Sequence, residues 1–321
     1  TGRTRLTVGV QDNNLWDRDH GATFSYTTSP EHDNDVEQWG LHYRLPMYDW
    51  GGAFTFFYTD SDVDAGTVAG IFDVTGSGEF FGVRYEQALL RVGALQQSLS
   101  LSLENRYFDN DILFGGAGFG SQVRSVPLEA RYEVEYRHRL ASLKGWVSYA
   151  RNLGWGGDND SSSYAATRGG ASEHWDLFRF GGDASIPLPE AWLGVLRMRG
   201  QVSDDALIPG EQFGLGGATT VRGYDEREVS GDSGYLLSAE AWAPKLPYNL
   251  RAFGFFDTGY RRNENLPGVL RDESLTSIGV GGFWQWTDRV YLTLQWGHTL
   301  EATAASDDGK DKLHFSLYAR Y

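Results

Sequence analysis

Cysteine is absent from all 321 residues, which rules out a disulfide framework, a thiolate metal centre and a catalytic thiol. A chain that crosses an oxidising compartment also gains from having no thiol to mispair. Long apolar runs are missing too. With a mean hydropathy of −0.42, no window has the length and apolarity of a transmembrane helix. Basic residues are few, 28 Lys and Arg against 43 Asp and Glu, for a net charge of −15. Nucleic acid is therefore not expected as a partner, because phosphate contacts need clustered Lys and Arg. No basic-then-apolar leader opens the chain; it starts at Thr1 without Met, as after processing or excision. No long stretch carries a 3.6-residue apolar period, so helices are not expected. The seven histidines are scattered, with no His-x-x-x-His spacing, and neither a metal site nor a cofactor is expected. No Gly-x-Ser-x-Gly elbow occurs. Asp17, Asp19 and His20 share a turn, but a solvated loop explains them better than an acid–base pair. No catalytic residue is assigned, and the chain is not expected to be an enzyme.

Aromatics and glycine, by contrast, are plentiful: 14% aromatic, with 11 Trp and 17 Tyr, and 41 Gly. Many strands joined by turns, with aromatic girdles at two membrane interfaces, would have this composition, as would a soluble β-helix or sandwich. The pattern along the chain separates these. Period-two alternation recurs in 5–10, 22–27 and 98–104 and is sharpest in 128–137. There Leu128, Ala130, Tyr132, Val134 and Tyr136 alternate with Glu129, Arg131, Glu133, Glu135 and Arg137. Five charges on one face cannot pack into a sandwich core, but they suit a strand set between lipid and a polar lumen. One such strand could be the wet edge of a soluble sheet; a repeated series could not. Strands are predicted near 3–11, 19–29, 35–45, 52–62, 78–87, 95–107, 124–139, 141–152, 173–187, 192–203, 233–243, 249–258, 273–285, 288–300 and 310–321. Short connections such as 48–51 and 187–190 alternate with long polar ones such as 153–172 and 204–232, the asymmetry of membrane barrels. The acidic clusters Asp158-Asn159-Asp160 and Asp307-Asp308 fall in these connections. They read as hydrated loops, with calcium or lipopolysaccharide-bound cations as the alternative. The expected fold is all-β: a single transmembrane antiparallel barrel spanning 1–321.

The C-terminal stretch Leu313, Phe315, Leu317, Ala319 and Tyr321 keeps the apolar phase to the last residue. It resembles the terminal-strand signal that the barrel assembly machinery recognises, although Phe is the usual last residue. The long connection carries a sharper motif, Phe213-Gly-Leu-Gly216-Gly217-Ala-Thr-Thr-Val221-Arg222-Gly223-Tyr224. About thirty residues on comes Phe253-Gly-Phe255-Phe-Asp257-Thr-Gly259. The first string lacks the Gly-Lys-Ser/Thr ending of a phosphate loop. Together the two resemble the signature of the BamA/TpsB superfamily of outer-membrane barrels. Softer matches at 4–15, 41–47 with Gly51-Gly52, and Ser238–Pro244 favour the two-partner secretion branch, the haemolysin secretion/activation family of the ShlB/FhaC/HecB type.

That resemblance implies that the loop turns back into the barrel and that Arg222 pairs with Asp257. A planar guanidinium suits such a bidentate anchor. Gly223 permits the turn, and Tyr224 can pack while donating its hydroxyl. Glu240 joins Glu129, Arg131, Glu133, Glu135 and Arg137 as a lumen-facing charge. By the same resemblance the barrel lies in a bacterial outer membrane, in contact with lipid and lipopolysaccharide, and passes an unfolded secreted passenger protein to the cell surface without ATP. An insertase like BamA or TamA is the first alternative and a passive diffusion porin the second. About fifteen strands are read where sixteen are usual. The expectation is that a first strand lies upstream, with Thr1-Gly2 in the first turn, or that one strand within 62–80 has been overlooked. The family's POTRA domains would also lie upstream.

Overall fold

The computed structural model describes residues 4–30, 37–61, 66–68, 72–74, 77–114, 117–264, 270–304 and 306–320. In chain order the strands are β1 (Leu6–Leu15), β2 (His20–Thr28), β3 (Glu37–Met47), β4 (Gly52–Ser61), β5 (Gly66–Val68), β6 (Phe72–Val74), β7 (Gly78–Ala88), β8 (Leu95–Phe114), β9 (Ala117–Ser125) and β10 (Pro127–His138). They continue with β11 (Ala141–Asn152), β12 (Asp176–Pro187), β13 (Leu193–Val202), β14 (Phe213–Leu215), β15 (Val229–Gly231), β16 (Ser233–Trp242), β17 (Leu250–Arg262), β18 (Asp272–Thr287), β19 (Val290–Thr299) and β20 (Asp311–Ala319). One sheet of sixteen strands takes all of these except the pairs β5–β6 and β14–β15. Every pairing in it is antiparallel.

β9 and β10 both pair with β8, Ser125 opposite Arg106 and Leu128 opposite Leu103. They are the upper and lower halves of one stave, broken at Val126, and the sheet therefore has fifteen staves, as many as the sequence pattern gives. Among the described residues before β7, the segment 62–80 holds the β5–β6 ribbon, which stands apart from the sheet. Boundaries do move. The strand read at 95–107 runs to Phe114, and the one read at 249–258 runs to Arg262, so both project beyond the wall into the long connections. A helix was not expected, yet α1 (Ser161–Thr167) forms inside the long connection 153–175. Its N-cap is Asp160, whose side chain accepts from the amides of Ser162 and Ser163. In the cluster there Asp158 and Asp160 are exposed, while Asn159 between them is 4% exposed and accepts from the Asn152 side chain. Among the described residues, no group of acidic and histidine side chains is placed to hold a metal.

Alternation sorts the two faces. Leu99, Leu101, Val147, Leu196, Met198, Leu237, Ile278, Val280, Leu294 and Phe315 are all 41–61% exposed. The opposite face buries Ser25, Thr27, Gln38, Thr59, Ser100, Ser102, Ser148, Gln201, Ser238 and Ser277. A soluble sheet would bury the first set and wet the second. An apolar outside around a polar inside is the solution for a closed wall in lipid. Trp16, Tyr48, Trp50, Trp192, Tyr248 and Trp286 stand exposed at or beside the short turns, where an aromatic girdle belongs.

Successive staves run in opposite senses, so the first and the fifteenth point the same way. Among the described residues β1 pairs only with β2, and β20 only with β19. Thr1, Gly2 and Tyr321 lie outside the described residues.

Candidate functional site

The connection from β13 to β16, the tenth and eleventh staves, turns into the lumen. β14 and β15 form a short neck within it, Leu215 opposite Val229, and the motif residues make the tip beyond. Gly216 and Gly217 open the tip at φ 105° and 111°, where a side chain is strained. Gly223, at φ 97°, lies against the wall: a Cβ on Gly297 of β19 would stand 2.8 Å from the Gly223 nitrogen. Only glycines on both sides allow that approach.

This places Arg222 next to β17. Its Nε and one terminal nitrogen donate to the two oxygens of Asp257, each at 2.7 Å, and its backbone N–H donates to the same carboxylate at 3.2 Å. Its other terminal nitrogen donates to Glu240 at 2.7 Å and Gln295 at 2.9 Å, and Ser238 accepts at 3.2 Å. The guanidinium carbon also sits 3.6 Å from the ring centre of Phe255, a cation–π contact. Arg222 is 3% exposed and Asp257 0%. A buried charge without partners is strongly unfavourable, whereas here two carboxylates and two further oxygens surround one cation. Glu240, expected only as a lumen charge, is therefore part of the anchor. Tyr224, 1% exposed, bonds the backbone oxygens of Thr276 and Glu301 at 3.0 and 2.7 Å. Val221 packs with Leu215, Tyr224, Val229, Leu236 and Leu275, and Gly259 leaves room for Leu215. On the last stave, His314 accepts from the Gly223 amide and Lys312 pairs with Asp225.

A second set of contacts holds the root of the same loop, and the sequence reading missed all of it. Glu211, fully buried, accepts from Ser125 and Arg106 at 2.6 Å each, with Arg179 at 3.6 Å. Gln201 donates to the backbone oxygens of both Glu211 and Asp232 at 3.0 Å. Asp232, also fully buried, takes two bonds from Arg168 at 2.5 and 3.0 Å, plus the amides of Leu207 and Glu264 and the side chain of Gln212. Burial pushes the Asp232 carboxyl up, but Arg168 and the two amides outweigh it and hold it below its ordinary value. Beside it Phe80, Phe108, Val123, Tyr164, Trp175 and Leu207 close an apolar cluster. Isolated residues such as Glu211 and Asp232 carry no local pattern, and only the fold brings them together.

The charged face of β10 points the same way as the loop. Glu129 stands 3.8 Å from Arg179, which reaches Glu211, and by alternation Arg131, Glu133, Glu135 and Arg137 share that face. Glu133 pairs with Arg131 at 3.1 Å and Lys144 at 3.0 Å, and Arg137 pairs with Glu135. Phe315 and Leu317 of β20 point outward and are exposed; Tyr321, the end of that signal, is outside the described residues.

Comparison with known proteins gives a consistent result. The family described as haemolysin secretion/activation protein ShlB/FhaC/HecB matches residues 1–282. The outer membrane transporter CdiB of Escherichia coli O6:K15:H31 (strain 536 / UPEC) is 24% identical over 320 residues, 90% of this chain and 51% of the relative. The chain thus spans about half the length of the curated relatives it matches. Among solved structures, CdiB from Escherichia coli superposes with a TM-score of 0.79 at 18% identity, over 99% of this chain and 60% of the other. CdiB from Acinetobacter baumannii gives 0.73 at 20%, over 99% and 56%. BamA from Haemophilus ducreyi lacking POTRA domains 1-3 gives 0.64 at 12%, over 99% and 68%.

Proposed function

Because this chain belongs to the haemolysin secretion/activation protein family ShlB/FhaC/HecB, an outer-membrane transporter family, we propose that it is the pore of a two-partner secretion system, passing an unfolded exoprotein to the cell surface without ATP. The observation that carries this is the buried Arg222–Asp257–Glu240 anchor. A loop held across the lumen by one cation is a removable constriction, and a polar wall beside it gives an extended polypeptide hydrogen-bonding groups without an apolar trap. A simple diffusion porin has no need of such a device. Folding of the passenger outside would supply the driving force.

Among the described residues the staves pair in series, with β1 at one end and β20 at the other. β1 and β20 run in the same sense, so an antiparallel seam needs one strand between them, and unpaired backbone edges do not persist in lipid. The proposal is that a strand upstream of Thr1, followed outward by the POTRA domains, fills that seam, and that the assembly machinery inserts the whole. An insertase would use the same seam differently.

The test is export, in cells, of the large exoprotein encoded beside the full-length gene. Wild type should release it to the medium; Arg222→Ala should assemble as a heat-modifiable barrel but release much less. Undiminished release by Arg222→Ala would remove the anchor from the argument, and failure of the wild type to export any neighbouring exoprotein while other barrels fail to assemble without it would overturn the secretion reading.

A further inference from the structure

We propose that the short-turn half of the lumen carries an aromatic subsite, Trp242, Phe283, Tyr291 and Tyr318, which takes the apolar side chains of an extended passenger polypeptide while the charged staves facing it take the polar ones. This rests on the transporter reading above and adds to it the chemistry of the segment that the pore accepts.

The lumen is not uniformly polar. On β16 to β20, alternation puts Trp242, Phe253, Phe255, Phe283, Tyr291 and Tyr318 on the inner face, in phase with Glu240, Asp257, Ser277, Gln295 and His314. These rings lie between the Arg222 anchor and the short turns. They also run from stave to stave: Trp242 stacks on Phe253 with ring centres 4.2 Å apart, Phe283 on Tyr291 at 5.9 Å, and Tyr291 meets Tyr318 at 6.1 Å. Glycines make the room. A Cβ on Gly281 would stand 2.2 Å from the Phe253 ring, and one on Gly279 would stand 2.3 Å from the Phe255 ring. Those two rings therefore rest on the bare backbone of β18 instead of projecting into the lumen. Both are buried, Phe253 against Trp242 and Phe255 against the Arg222 guanidinium. The rings left facing the channel are Trp242, Phe283 and Tyr291, which are half-buried, and Tyr318, which is 60% exposed.

The staves half a sheet away are built differently. β7, β8 and β10 are the fifth to seventh in order, and β18, β19 and β20 the thirteenth to fifteenth, so in a barrel the two sets face each other. Near their own short-turn ends β7 and β10 present Arg84, Glu86, Glu133, Glu135 and Arg137 by the same alternation. An extended chain in transit projects successive side chains to opposite sides. Between these walls one set meets rings and the other meets charge. The segment that fits best therefore carries an apolar residue at every second position. Lipid does not reach an inner wall, and rings turned toward water gain by being covered. Trp and Tyr suit the task, because each offers ring area while its polar atom stays bonded. Trp242 Nε1 donates to Glu240 at 2.8 Å, and the Tyr291 hydroxyl donates to the Asp288 carbonyl at 2.9 Å.

The test uses the full-length protein in planar bilayers and three synthetic peptides about fourteen residues long, enough to cross a bilayer core when extended. One alternates Leu or Tyr with Thr or Asn. The second has the same composition in blocks, and the third has Ser in place of every Leu and Tyr. Added on the short-turn side, the alternating peptide should block current at roughly tenfold lower concentration than either control, the worth of one or two ring contacts. In Tyr291→Ala with Tyr318→Ala that preference should disappear; the readout is a ratio between peptides within one variant. Equal block by all three peptides would overturn the proposal, as would a preference that survives the double variant. If removing the rings raises spontaneous opening and leaves the preference intact, the rings hold a segment of the protein's own chain and the proposal falls. Should the double variant fail to assemble, Tyr318→Ala alone, which removes an already exposed ring, gives the same decision. A preference cut about threefold supports the subsite, and an unchanged one overturns it. Export of the neighbouring exoprotein is scored separately in cells: the peptide preference without any export would leave the subsite standing and sink the transporter reading.

Discussion

The tip and the root of the inward loop solve the same problem, burying charge inside a barrel, from opposite kinds of sequence. At the tip the residues come in two contiguous strings, 216–224 and 253–259, and each position does a task its type announces: Gly for a turn at φ 97°, Arg for a two-oxygen grip, Tyr for packing with one hydroxyl bond. At the root the partners come one at a time from β8, β9, β12, β13 and two connections. The difference teaches where a one-dimensional reading succeeds. A device built on a sharp backbone path leaves a local pattern, because glycine is demanded at fixed offsets. A device built on wall side chains that already alternate polar and apolar leaves none.

The largest effect belongs to the tip. Arg222→Ala strips Asp257 and Glu240 of their cation, and breaking a buried pair by removing one partner typically costs about 3–5 kcal/mol. Loop docking should weaken by that order, read as hydrogen exchange or protease sensitivity at 216–228, with the barrel still heat-modifiable. Asp257→Ala should do nearly the same, and the double variant should fall well short of the sum, since both act on one contact. An additive double variant would break the picture of a single anchor.

Glu211→Gln tests the root. Arg106 keeps Glu104 at 2.7 Å as a second carboxylate, and a Gln oxygen can still accept from Ser125 or Arg106. The loss should therefore be smaller, about 1–3 kcal/mol for one buried charge-assisted bond, measured on the protection of 205–212. Combined with Arg222→Ala it should be additive, because root and tip share no partner. Strong coupling would mean that the loop responds as one rigid body.

The same contrast explains what was legible in the fold. Fifteen alternating segments are visible because every stave meets lipid on one side and a wet lumen on the other, so period two is imposed residue by residue. The outer ends of β8 and β17, beyond 107 and 258, went unread, as did α1, a single two-turn helix whose sequence Ser161-Ser-Ser-Tyr-Ala-Ala-Thr167 has no apolar period to show. Its one usable signal was Asp160 before three serines, an N-cap pattern. Glu129–Arg137 was legible as a charged face, but its reach through Arg179 to Glu211 was not.

Acid should separate root from tip without any substitution. Asp232 is held below its ordinary value of 3.8, so its folded-state pKa is depressed. The stability it contributes is therefore complete above that ordinary value and is lost as pH falls through the folded value. Protease protection of the rim at Arg168 should be flat near neutrality and fall only in strong acid, and Asp232→Asn should abolish that fall. A rim that loosens between pH 5 and 7 would point to some other group as the clasp.

The smallest effect expected is that of Tyr224→Phe, and it asks what the tip's aromatic residue is for. The ring is buried among Leu215, Val221, Val229, Leu236 and Leu275, and Phe retains nearly all of that packing. Only the hydroxyl is lost, which bonds the Glu301 oxygen at 2.7 Å and the Thr276 oxygen at 3.0 Å and accepts from the Thr276 amide at 3.3 Å. One hydroxyl can donate to only one of those two oxygens at a time, and both belong to backbone groups near the outer end of the wall. The substitution should therefore remove about 0.5–1.5 kcal/mol, the net worth of an ordinary intramolecular hydrogen bond, and shift tip protection slightly while leaving export close to wild type. Tyr224→Ala, by contrast, empties a well-packed site and should approach the Arg222→Ala phenotype, since truncating a buried aromatic costs about 3–5 kcal/mol. If Phe proved as damaging as Ala, the hydroxyl rather than the packing would be what fastens this side of the tip, and the anchor would have to be redrawn as two polar contacts, one on β17 and one on the outer end of β18.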